Sequence, residues 1–69
     1  MTLTERINEI NKQGYEYEVF EGVNDTIVLQ EWPNTSMVMY EYTFTPEGMP
    51  LEGWVHTVEI DWINVQKLF

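Results

Sequence analysis

The chain has no cysteine, so no disulfide can staple it and no thiolate can hold a metal ion. It has one histidine, His56, and one serine, Ser36, which leaves no Ser/His/Asp arrangement and no zinc-binding pattern. No Gly-rich phosphate loop is present. No apolar run approaches the ~20 residues of a membrane span, and the N-terminus lacks the basic-then-apolar order of a secretion signal. These gaps predict a cytoplasmic protein that binds rather than catalyses, with no cofactor and no membrane partner. The most telling gap is in the bases. Between Gln13 and Gln66 there is neither lysine nor arginine; Arg6, Lys12 and Lys67 all lie outside that stretch.

What fills the stretch is acid. It holds every carboxylate side chain of the chain except Glu5 and Glu9, and the net charge is −9. Such a charge repels nucleic acid and anionic lipid, so no direct nucleic-acid contact is expected and the natural partner is basic. The acids are interleaved with aromatic and β-branched residues, which predicts that a folded sheet displays them rather than a disordered tail. At 69 residues the chain makes a single domain, 1–69. A fold of this size buries only about 60% of the surface its unfolded chain exposes. Three Trp, four Tyr and three Phe must therefore supply much of the core, and a homodimer is a further remedy.

Thr2-Leu3-Thr4-Glu5 fits a capping box, and Leu3, Ile7 and Ile10 form one apolar stripe behind it. Gly14 suits the left-handed residue that ends a helix, so the spacing predicts a helix over 2–13. Residues 15–20 alternate as a strand, 21–25 form a turn, and 26–32 form the second strand. Trp32-Pro33-Asn34-Thr35 reads as a tight turn into a third strand over 36–45. The two prolines and two glycines of 46–53 predict a loop, and Trp54 to Trp62 shows the cleanest period of two. For 63–69 three readings stay open: a continued strand, a short fifth strand, or a cap on the core through Leu68 and Phe69. The fold class is α+β, one N-terminal helix packed on a four- to five-stranded antiparallel sheet.

The helix stripe is expected to cover the sheet face bearing Tyr17, Val19, Ile27, Leu29, Tyr40, Tyr42, Val58 and Ile60. His56 is read as a buried or edge histidine on the apolar face of the fourth strand. The opposite face then carries Glu16, Glu18, Glu41, Glu59 and Asp61, together with Phe20, Val28, Trp32, Met37, Met39 and Val55. Same-face side chains repeat at roughly 6.6 Å along a strand, of the order of the phosphate spacing along a nucleic-acid strand. The large apolar groups mixed among the acids suit adaptable contact with a partner. The same groups also fit a homodimer interface or a second small core. The partner-binding set is expected to be Glu16, Glu18, Glu31, Glu41, Glu59 and Asp61 as charges, with Trp32 and Met39 as apolar anchors. Glu31 falls on the core side by strict alternation; it is included because it borders Pro33, where the strand ends.

Two resemblances follow from particular stretches. The segment Met1-Thr2-Leu3-Thr4-Glu5-Arg6-Ile7-Asn8-Glu9-Ile10-Asn11-Lys12-Gln13-Gly14-Tyr15 resembles the helix-into-strand start of some type II anti-CRISPR proteins. Such proteins occupy the site where an effector nuclease reads its target-adjacent duplex. Ile27-Val28-Leu29-Gln30-Glu31 is similar to the strand with which uracil-DNA glycosylase inhibitors enter their enzyme's DNA cleft, making Glu31 the counterpart glutamate. Trp32-Pro33 then stand where that family has a small polar and an aliphatic residue. Both resemblances imply a phage-encoded, acidic DNA-mimic inhibitor of a DNA-processing enzyme. The alternative is a non-inhibitory module, such as an immunity or antitoxin protein for a basic toxin, or a homo-oligomeric structural protein.

Overall fold

The structure, a computed structural model, describes residues 1–33, 37–58 and 62–69. Among these residues one helix, α1 (Leu3–Gln13), precedes five strands: β1 (Glu16–Glu21), β2 (Ile27–Trp32), β3 (Val38–Phe44), β4 (Pro50–Val58) and β5 (Ile63–Lys67). All neighbours pair antiparallel in the order β1-β2-β3-β4-β5, a simple meander. The expected α+β architecture is therefore present, with the fifth strand formed.

Local chemistry explains the element ends. Thr2 accepts from the Glu5 amide and Glu5 accepts from the Thr2 amide, the reciprocal pair of a capping box. Gly14 ends α1 at φ 76°, a left-handed conformation that costs a residue with a Cβ more than it costs glycine. A single 3₁₀ turn, Val23–Asp25, joins β1 to β2 with Asn24 and Asp25 at φ 56° and 61°. Asn and Asp tolerate that region better than most residues.

Ile10, Leu29, Tyr42 and Phe44 are buried between α1 and the sheet, with Leu3, Ile7, Tyr15, Tyr17, Ile27 and Tyr40 packed around them. The helix stripe thus lands where its spacing directs it. The Leu3 amide also donates to the Gly48 carbonyl at 2.9 Å, tying the helix start to the β3–β4 connection.

Two expectations for the second half of the chain are corrected. The loop over 46–53 is shorter than expected, because Pro50 to Gly53 belong to β4. Proline is tolerated there as the first strand residue, opposite Phe44 where the register shifts. The second correction is parity. Directly paired residues share a face, and the pairs Tyr40–Val55 and Tyr42–Gly53 put Val55 and Gly53 on the helix side. Trp54, His56 and Val58 therefore face away from α1, the reverse of the expected assignment. Gly53 supplies a physical reason: a Cβ there would lie 2.6 Å from a carbon of the Phe69 ring. That ring stacks on Tyr42 at 6.3 Å, so the strand turns its bare backbone toward the core. The last residues do two of the three things left open. Residues 63–67 pair as a fifth strand, and Phe69 caps the core.

Candidate functional site

The face that α1 leaves uncovered is ordered in rows across the strands. One row runs Glu18, Gln30, Glu41, Trp54, Lys67, each opposite the next. Gln30 Nε2 donates to Glu41 Oε2 at 2.8 Å, and His56 Nε2 stands 3.7 Å from Glu41 Oε1. Glu41 is thus held at mid-sheet between a neutral donor and an imidazole, half-buried. Lys67 Nζ lies 5.8 Å from the Trp54 ring centre, a cation–π contact at the far end of the row. A second row places Glu16 opposite Trp32, and Met39 opposite His56 and then Val65.

Charge is uneven along these rows. Glu16 and Glu18 on β1 are exposed, and among the described residues Lys67 is the lone lysine or arginine on this face. Next to the acids lies a cleft of about 240 Å³ lined by Trp32, Met37, Met39, His56, Val58 and Ile63 among others. Acids on one side and an apolar hollow on the other give a surface able to attract a basic partner and then seat an apolar side chain. His56, which lines this cleft, has its Nε2 buried without a hydrogen-bond partner among the described residues.

Glu16, Glu18, Trp32, Met39 and Glu41 are brought together as expected from their alternation. Glu59 and Asp61 lie outside the described residues. Glu31 is placed differently. Alternation holds to the strand end, so its carboxylate points under α1 and is only 2% exposed. There Arg6 pairs with it, the same Nη2 donating to Glu31 Oε1 and, at 2.7 Å, to the Tyr42 hydroxyl. The guanidinium also sits 4.5 Å from the Tyr42 ring centre. Arg6 reaches this position because it follows Leu3 by three residues and precedes Ile10 by four, which puts it on the buried stripe. Burial pushes the Tyr42 phenol above its ordinary pKa, with Arg6 opposing. Glu5, in the first turn of α1, is held below its ordinary value by the Thr2 amide.

His56, Val58 and Ile63 enter the cleft although alternation alone did not assign them to it. Gly53 carried the usable signal: on the parity of Val55, it marks the side of β4 that another group approaches closely. Among the described residues no three His, Asp or Glu side chains gather as a metal site would require, and no helix is long and apolar enough to cross a membrane.

The chain matches no protein-family model, and neither a curated protein nor a solved structure shows significant similarity to it.

Proposed function

We propose that this protein is an acidic DNA-mimic inhibitor that acts in the cytoplasm of an infected bacterial cell. Its uncovered sheet face docks on the basic nucleic-acid-binding surface of a DNA-processing enzyme. The observation that carries this reading is the placement of exposed Glu16 and Glu18 on the same sheet face as Glu41 and the Trp32 cleft. Carboxylates at roughly 6.6 Å along a strand offer a basic groove the charge pitch of a phosphate backbone without its flexibility. Trp32 and Met39 supply the apolar anchors that hold such a contact once it has formed.

Of the two families that the chain resembles, the type II anti-CRISPR proteins fit better. A glycosylase inhibitor would need Glu31 at the surface, whereas Arg6 and α1 cover it. The proposed target is therefore an effector nuclease at the site where it reads duplex DNA. The test is inhibition of DNA binding by a type II CRISPR effector nuclease, measured with the parent chain and with Trp32→Ala and Glu16→Lys/Glu18→Lys. Both variants should lose inhibition while keeping the parent circular dichroism. The dissociation constant should also rise steeply between about 50 and about 500 mM salt, as charge-steered binding does. Parent-like inhibition by both variants, or a salt-independent constant, would overturn the assignment of this face.

A further inference from the structure

Among the described residues the sheet has two open edges, and they differ in charge. On β5, the Leu68 amide donates to the Gly53 carbonyl at 2.7 Å. Antiparallel bonding alternates, so Gln66 and Asn64 also bond inward to β4, leaving the main-chain groups of Ile63, Val65 and Lys67 facing outward. On β1, the Gly22 amide donates to the Thr26 carbonyl at 2.8 Å, and the same alternation leaves Tyr17, Val19 and Glu21 outward. Both edges are templates for another strand. The β1 edge carries Glu16, Glu18 and Glu21, so pairing it with itself would crowd six carboxylates. From Trp62 to Phe69 there is no acidic side chain and one lysine.

The side chains of β5 agree with its charge. Ile63 is 63% exposed and Val65 46%; Ile63 stands opposite the exposed Val58 and lines the apolar cleft with it, and Val65 stands opposite His56. We propose that β5 pairs antiparallel with β5 of a second copy of this chain, about a two-fold axis through Val65 and perpendicular to the sheet. Val65 then faces Val65 of the second copy and exchanges both main-chain hydrogen bonds with it. Ile63 faces Lys67, and Asn64 faces Gln66, so no like charges meet. The two meanders become one ten-stranded sheet, with both acidic faces on the same side and both helices on the other. An axis of this kind closes the assembly at two copies, because each edge of the pair consumes the other.

Dimerisation through β5 does not depend on the proposed function, and salt separates the two. Each copy carries −9, so two copies repel at long range, and salt screens that repulsion. Dimerisation is expected to strengthen as salt rises, whereas docking on a basic enzyme weakens.

Sedimentation velocity of the full chain, over a wide range of protein concentration and at about 50 and about 500 mM salt, reads the dimer directly. A reversible dimer favoured by the higher salt is expected. Val65→Lys places two ammonium groups opposite one another and should raise the dimer dissociation constant at least about tenfold. Val65→Pro removes an amide that the fold itself does not use, and should do the same with unchanged circular dichroism. Val19→Lys, on the other edge, should leave the dimer intact. A parent chain that stays monomeric at every concentration overturns the proposal. So does a dimer that survives both Val65 variants or is lost in Val19→Lys. Open-ended oligomers would point instead to β5 pairing with β1 of the next copy, and would equally overturn it.

Discussion

Glu31 and Glu41 stand on neighbouring strands, one register position apart, and have opposite fates. Glu31 lies under the helix, where Arg6 neutralises it and Tyr42 completes the polar group. Glu41 lies on the uncovered side, where Gln30 and His56 adjoin it and solvent still reaches it. The difference teaches that, in a chain so poor in bases, where each cation goes decides which acids are structural. Arg6 is spent on the covered face and Lys12 is exposed on the helix, so among the described residues the uncovered face keeps Glu16, Glu18, Glu41 and Glu52, with Lys67 as the one lysine or arginine to offset them.

The sharpest way to break the covered face is to hollow it. Leu29 is fully buried, and Leu29→Ala should cost about 2–5 kcal/mol, a large part of what a small domain has. Chemical denaturation would read this as a lower midpoint. Next in size is the polar group on the same face. Glu31→Ala leaves Arg6 without its carboxylate, and because Arg6 keeps some contact with water the loss should be about 2–3 kcal/mol. An Arg6→Leu/Glu31→Leu double variant should recover much of that loss, since an apolar pair needs no desolvated charge. Recovery of nothing would show that the pair fixes the helix in a way apolar contact cannot replace.

The same face sets an alkaline limit. Burial raises the Tyr42 pKa above its ordinary value of 10.0, so the folded chain holds that proton more tightly than the unfolded one. Its stabilising share is complete below the ordinary value and is lost as pH rises through the raised one. Tyr42→Phe should flatten the decline in stability above about pH 10 in a melting series, at the expense of the Arg6 hydrogen bond. The smallest expected effect on stability comes from the other face. Glu16→Lys/Glu18→Lys should change unfolding free energy by less than about 0.5 kcal/mol, because both side chains are exposed. A larger loss would mean that the acids of the two faces do not differ in kind.

Much of this was legible in the order of residues. Thr2 and Glu5 announce the capping box, Gly14 announces the stop, and both describe the helix found. Alternation through Tyr17, Leu29, Tyr40 and Tyr42 places those side chains under α1 and puts Glu16, Glu18 and Met39 opposite. These features act over a few neighbours, so local sequence suffices to determine them. The face of β4 is different. Trp54, His56 and Val58 make the most regular apolar stripe in the chain, yet they point away from α1. A stripe states its period but not which way it faces. That is set by the pairing with β3, including the shift at Thr43 and Phe44, and by Phe69 arriving over Gly53 from sixteen positions later. The fate of Glu31 has the same origin, since Arg6 lies twenty-five positions earlier and meets it only after α1 has packed. Short-range periodicity determined the elements. Long-range packing decided which of their faces and acids are free.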